Sequence, residues 1–328
     1  MSKRGKHRRQ SVFTAVILTI IFVAFCSFSS LNEKYGLNLD FLDFDMSLDS
    51  VYEQAEEALG LKDSGSSAPA SLSGSELEVH FIDVGQGKSI LIKSGGKTAL
   101  IDCGENDQDI TLTNYLRKEK IYTIDILVGT HPHSDHIGSM DTVIDEFDIG
   151  TIIMPDIPDD IIPTTKTYTD VLMSISKKGL KVTPAHPKDV YYLGDAKLTV
   201  LGPVGIYSDL NNISAVIRLD YGGTSFIFTG DIEKGAESDL VDSSAILNAD
   251  VLDVAHHGSQ TSSTKEFLAA VSPKFAVISC GLDNSYGHPH RDPVERIYAL
   301  GCEVYRTDLD GSVILFSNGQ DITVKTEK

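Results

Sequence analysis

The alternation of apolar and polar positions divides the chain into three parts. Residues 12–28 are apolar apart from Thr14, Thr19, Cys26 and Ser27, which is near the shortest run that spans a bilayer as a helix. Residues 48–61 place Leu48, Val51, Tyr52, Ala55 and Leu59 at helical spacing and predict a short amphipathic helix that packs on the main domain. From residue 77 the period shortens. Apolar runs at 77–83, 89–92 and 98–102, broken by Gly85-Gln86-Gly87 and Gly95-Gly96, predict a meander of three strands. Helical stretches (110–118, 138–147 and 164–178, then from Glu233, Ser263 and Pro293) alternate afterwards with strands. Those strands are 124–130, the runs around Leu198 and Val216, and 225–229, 251–255 and 275–279. Such a mixture predicts two sheets with helices on their outer faces.

Composition adds an organisation to this pattern. The 41% hydrophobic and 8% aromatic content is ordinary for a globular protein. The stretch 63–75 is rich in Ser, Gly and Ala and reads as a flexible linker. The chain is therefore expected to comprise a basic segment and signal anchor (1–30), an acidic stalk with its linker (31–75) and a main domain (76–328). The basic cluster Lys3, Arg4, Lys6, Arg8 and Arg9 precedes the apolar run. By the positive-inside rule it puts the N-terminus in the cytoplasm and the rest outside a single-pass cell-membrane anchor. Cleavage of the run as a signal peptide would instead give a secreted protein. Phe25 and Phe28 blur the small-residue cleavage pattern, and Phe25 also fits poorly with lipid attachment at Cys26.

Charge narrows the choice of partners. The formal net charge is -19 although the first thirty residues hold five cations and no acid, so the remainder is more acidic still. A broad surface for phosphate backbones is not expected on such a body. A local metal cleft could still act on a phosphodiester, because bound ions supply positive charge. Three cysteines lie outside the apolar run: Cys103, Cys280 and Cys302. That odd number argues against a disulfide framework and leaves room for one pair, Cys280 with Cys302. Cys103 follows a strand and reads as a small buried residue.

The candidate chemistry sits where strands end. His131-Pro132-His133-Ser134-Asp135-His136 follows the run 124–130, and once the chain turns His131 and His133 can converge on one ion, Asp135 and His136 on another. Asp231 follows 226–230, with Gly230 permitting a tight turn and the carboxylate placed to bridge two ions. His256-His257 follows 251–255, and His288 and His290 follow the strand 275–279. Four strand ends carrying ligand-type residues point to one metal centre.

These motifs, together with residues 81–87 and 284–290, resemble the metallo-β-lactamase superfamily over roughly residues 76–326. Within it they resemble the branch formed by the extracellular hydrolase domain of ComEC-type competence proteins, which also includes phosphorylcholine esterases. The resemblance implies an αββα sandwich of two mixed β-sheets flanked by helices, with two divalent ions, Zn2+ or Mn2+, along one edge. It assigns His131 and His133 to the first ion, Asp135 and His136 to the second, and Asp231 as bridge. His288 takes the last ligand position, and His256 or His257 the proton donor; either of the pair could be the ligand instead, and only one should face the metals. Asp135 would orient the attacking water. A phosphodiester substrate is implied, with DNA or a choline- or glycerol-phosphate wall polymer as its source; a non-catalytic binding module is the rival reading. No protein partner is indicated. Two departures stand out. Asn211-Asn212-Ile213-Ser214 replaces the usual third-motif histidine, which implies a looser first ion. Lys88 stands where the branch often has an acid, and reads as a surface change, with a local cation near the substrate as the alternative. His80 and His186 read as structural.

Overall fold

In the computed structural model, which describes residues 76–328, the three-strand opening forms as β1 (Leu77–Phe81), β2 (Ile90–Ser94) and β3 (Lys97–Ile101). The strands β4 (Thr123–Val128), β5 (Asp148–Met154) and β6 (Val182–Pro184) extend this sheet on one side in parallel. A second sheet is built from β7 (Val190–Leu193), β8 (Ala196–Gly202), β9 (Val216–Tyr221), β10 (Thr224–Phe228), β11 (Val251–Asp253), β12 (Phe275–Ile278) and β13 (Glu303–Arg306). A last hairpin, β14 (Val313–Ser317) and β15 (Ile322–Thr326), returns to pair antiparallel with β1. The sheet orders are β15-β14-β1-β2-β3-β4-β5-β6 and β13-β12-β11-β10-β9-β8-β7.

The inner strands, such as β2 and β10, read as continuous apolar runs because both of their faces are covered. In β2 and β3, Ile90, Ile92, Ala99 and Ile101 belong to the core between the sheets, whereas Leu91 and Leu100 point outward under helices. A third cluster packs Ala236, Leu240, Phe267 and Leu268 on the outer face of the second sheet. The result is the four-layer αββα arrangement that the sequence implied. The expected helices form as α1 (Asp109–Lys118), α2 (Ser134–Ile137), α3 (Met140–Glu146), α4 (Lys166–Lys177), α5 (Lys234–Asp242), α6 (Lys265–Val271) and α7 (Arg291–Tyr298). The expected helix 138–147 thus starts two residues later, with the short α2 before it. The anchor, stalk helix and linker expected at 12–28, 48–61 and 63–75 lie outside the described residues. Among the described residues no helix is long and apolar enough to cross a membrane.

Two expectations are corrected. Cys280 and Cys302 are both unpaired thiols, as is Cys103. All three are buried, which pushes their thiols up, those of Cys280 and Cys302 to about 12. Lys88 is no surface residue. Its side chain is wholly buried, and its ammonium donates to Asp253 Oδ2 (2.8 Å) and to the carbonyls of Gly230 (3.0 Å) and Val254 (3.5 Å). Its backbone N–H donates to the Asp135 carbonyl at 2.9 Å. The preceding Gly87 allows that approach: at φ +143° a Cβ there would stand 2.6 Å from the same oxygen. Burial works against the ammonium's charge, and the carboxylates of Asp253, Asp231 and Asp102 outweigh it, so the Lys88 pKa stays raised.

Removing one member of a buried ion pair strands the other charge, which costs about 3–5 kcal/mol. Lys88→Met should lose stability on that scale in urea unfolding followed by circular dichroism. Adding Asp253→Leu should recover at least half of the loss; a single variant as stable as the parent would rule out the brace.

Candidate metal centre

The strand-end residues of both sheets meet at one edge. From the first sheet, the chain bends at His131 and Pro132 after β4, is extended at His133, with φ -83° and ψ 152°, and then winds into α2. The bend brings His131 and His133 together, with Nε2 of the first 3.0 Å from Nδ1 of the second. The turn of α2 then brings Asp135 and His136 around to the neighbouring position. From the second sheet, Gly230 at φ +54° packs against Ser214 and Thr130, where a Cβ would stand 2.8 Å from the Ser214 side chain, and it turns Asp231 into the cluster.

Asp231 lies between the two groups. Its Oδ1 is 3.1 Å from His136 Nε2, and its Oδ2 is 3.5 Å from His257 Nε2 and 3.9 Å from both His131 Nε2 and His256 Nε2. Asp135 Oδ2 is 3.2 Å from His257 Nε2. One ligand atom from each of Asp135, His136, Asp231 and His257 falls within 4.8 Å of all the others.

Hydrogen bonding behind the ligands fixes what their front atoms are. His136 Nδ1 is 2.7 Å from Asp102 Oδ2 and His257 Nδ1 is 2.8 Å from the Ser279 carbonyl. A carboxylate and a carbonyl can only accept, so both Nδ1 atoms carry protons, and in neutral rings both Nε2 atoms present lone pairs. Those two nitrogens face each other at 3.3 Å, beside two carboxylates. Asp231 Oδ1 is buried without a hydrogen-bond donor. With both rings neutral this is a buried group of acceptors without a donor, which matches what a divalent cation requires. Burial works against charge on His136, but the carboxylates of Asp231 and Asp102 outweigh it and raise its pKa well above the usual imidazole value, so a proton takes the place of a cation there when no ion is bound. The residues therefore fit a metal. Burial opposes ionisation of Asp135 and Asp231, but the neighbouring imidazoles outweigh it and hold both well below the usual carboxylate range. Burial, with the other histidines, lowers His256, and takes His288 to about 4.

Of His256 and His257, only His257 contributes to the tight ligand group. Both line the same cavity of about 500 Å³, because both adopt left-handed backbone, φ +52° and +54°. The divergence of neighbours holds only for extended chain. Non-glycine residues there cost about 1–3 kcal/mol each, strain that the site imposes. His257 joins the tight ligand group. His288 lies one ring farther out, stacked 6.1 Å from His257 and 5.6 Å edge-on from His256.

Asp102 was missed by sequence reasoning. It receives the Thr130 N–H (2.8 Å) and hydroxyl (2.7 Å) as well as His136, and its only sequence signal was the strand-end position that marked the other ligands. In the third-motif segment, Ser214 Oγ lies 3.3 Å from His131 Nδ1, behind that ring, while Asn211 lines the cavity. His80 is buried in β1, 2.9 Å from the Tyr115 hydroxyl and 3.1 Å from Glu78 Oε2, and it stands with Glu78 and Glu119 in a second, smaller group of possible ligand atoms; His186 is exposed beside Asp156.

Comparison with known proteins agrees with this geometry. The model of the metallo-β-lactamase superfamily matches residues 82–282. ComE operon protein 3 of Bacillus subtilis is 31% identical over 73% of this chain and 33% of its own length. Competence protein ComA of Neisseria gonorrhoeae is 31% identical over 75% of this chain and 33% of its own. The chain thus spans about a third of the length of these curated relatives. The diiron β-hydroxylase CmlA of Streptomyces venezuelae shares the fold alone, at a TM-score of 0.50 and 13% identity over 77% of this chain and 55% of that one. The chain belongs to the metallo-β-lactamase superfamily, in the group of such domains found in competence proteins.

Proposed function

We propose that the chain is a dinuclear metal-dependent phosphodiesterase, held at the outer face of a membrane by residues 12–28. The observation that carries the hydrolase is Asp231, set between the His131–His133 pair and the Asp135–His136–His257 group, with ligand atoms of both within 3.9 Å of its two oxygens. His131 and His133 would hold one ion, Asp135, His136 and His257 the other, and Asp231 both. Bound there, two divalent ions supply Lewis acidity toward a phosphoryl oxygen and a water that is nucleophilic near neutral pH.

The chain's own residues do the remainder. Asp135 is partly open to the cavity, and its carboxylate can accept a proton of the attacking water and aim its lone pair. His256 and His288 line the same cavity outside the tight ligand group, so a ring N–H of either can hydrogen-bond the departing oxygen. Asp102 and the Ser279 carbonyl hold the tautomers of His136 and His257. A phosphodiester would suit this arrangement, because the ions would supply Lewis acidity toward its non-bridging oxygens and the outer histidines line the same cavity. The N-terminal cations and the apolar run that follows them support the membrane placement.

Purified full-length protein should carry up to two equivalents of Zn2+ or Mn2+ by mass spectrometry and should hydrolyse bis-p-nitrophenyl phosphate in preference to nitrocefin. Asp135→Asn should lower kcat by about 10²- to 10⁴-fold with the circular dichroism spectrum retained. Metal-loaded protein inert toward every phosphodiester would leave a binding module, and unchanged turnover in Asp135→Asn would remove that residue from the mechanism. Asp102→Ala should weaken metal affinity by about 10- to 100-fold in chelator competition, while His133→Ala should release one equivalent and keep the other.

A further inference from the structure

The cavity in front of the metal centre has an unusual lining for a site that takes phosphate. Among its described lining residues there is no Lys or Arg. Proteins that grip a polynucleotide do so through cations placed along its backbone, and here the surrounding body is acidic. Within the cavity, positive charge would therefore come from the bound ions, enough for one phosphate.

Next to that phosphate position the wall is neutral and carries unused hydrogen-bonding groups. Gln86 Oε1 accepts the Gly281 N–H at 3.1 Å, which fixes the amide and leaves the buried Nε2 as a donor without a partner. Asn211 Oδ1 and His288 Nδ1 are likewise buried and unpartnered. All three residues line the cavity. At its mouth Tyr286 is 63% exposed, with its ring stacked on His288 at 5.6 Å and 18°, and His288 is stacked in turn on His257. An exposed aromatic side chain normally costs nothing to move. This one sits on a pinned loop: Asn284 Oδ1 accepts the N–H of both Tyr286 and His288, and Asn284 Nδ2 donates to the carbonyls of Gly281 and His288. Rigid stacking surfaces bind planar groups with little loss of entropy.

We infer that the site takes a short nucleoside-bearing phosphodiester, of one or two nucleotides, with its base stacked on Tyr286 and its polar edge met by Gln86 and Asn211. The inference rests on the phosphodiesterase reading above. A volume of about 500 Å³ is of the size that holds a nucleotide-sized ligand. A polynucleotide would meet uncompensated repulsion beyond the first phosphate.

The test uses the metal-loaded full-length protein with three substrates side by side: a thymidine dinucleotide, a 20-nucleotide single strand and glycerophosphocholine. The dinucleotide should be hydrolysed with the highest kcat/KM per phosphodiester. Its rate should fall by less than about threefold between 50 and 200 mM salt, as expected for a single phosphate contact. Tyr286→Ala should weaken binding of thymidine monophosphate, read by calorimetry, and lower kcat/KM on the dinucleotide by about 10- to 100-fold, while Tyr286→Phe should keep both. A preference for the long strand with steep salt dependence would overturn the inference, as would a preference for glycerophosphocholine, or equal binding by Tyr286→Ala. Inertness toward all three substrates with metal bound would instead overturn the phosphodiesterase reading beneath it.

Discussion

A single buried ammonium keeps the catalytic edge folded around its own negative charge. Among the described residues Lys88 is the only Lys or Arg with a buried side chain. It stands against Asp253 and within reach of the fields of Asp231 and Asp102. Carboxylates gathered in a dry space repel one another and resist ionisation, so a site rich in acids needs an internal countercharge if it is to form before metal arrives. Lys88 supplies that charge at a point where it also ties three segments together. Its N–H holds the carbonyl of Asp135, and its ammonium holds the carbonyls just before Asp231 and just before Ala255-His256-His257. The brace lies behind the ligands and leaves their front atoms free.

Those front atoms are organised by what lies behind them. Protonation of His136 and His257 at Nδ1 is dictated by Asp102 and the Ser279 carbonyl, so in the neutral rings the nitrogens that face the cleft are the ones with free lone pairs. The left-handed turn at His256 and His257 adds a second device. One strand end delivers two imidazoles to the same side, one within the ligand group and one beside it, where extended chain would deliver only one. The strain of that turn is offset by packing around Gly258 and by the hydrogen bond from His256 N–H to the Gly230 carbonyl.

Much of this was legible in the sequence because strand ends are legible. A buried strand shows as an apolar run, and a histidine or aspartate directly after it stands at the sheet edge; His131, Asp231 and His257 were all found in that way. What the sequence hid depended on partners far away along the chain or on backbone that is not extended. Lys88 looks like a polar loop residue until Asp253 is seen beside it, 165 positions later. Asp102 has the same strand-end signature as the ligands but serves one of them from behind, a role set by His136 across the turn. Both His256 and His257 face the cavity through positive φ values that periodicity cannot express. The β14–β15 hairpin closes the first sheet by pairing with β1, a register between chain ends that local pattern does not encode.

The ligands come from different sheets, and that links the metal to the fold as a whole. His131, His133, Asp135 and His136 follow β4 of the first sheet, and Asp231 and His257 follow β10 and β11 of the second. Neither sheet alone can complete the ion site that combines Asp135 and His136 with Asp231 and His257. The spacing between the two ligand sets is held by the core between the sheets, where Phe81 of β1 meets Phe228 of β10 with ring centroids 6.4 Å apart. A close-packed interior transmits small changes of volume rather than absorbing them. Side chains that never touch substrate therefore set the separation of the ligands, and metal that binds only the joined sheets stabilises their packing in return. Core packing and metal affinity are two readings of one geometry, which is why the interior of this domain belongs to its chemistry as much as the histidines at its edge.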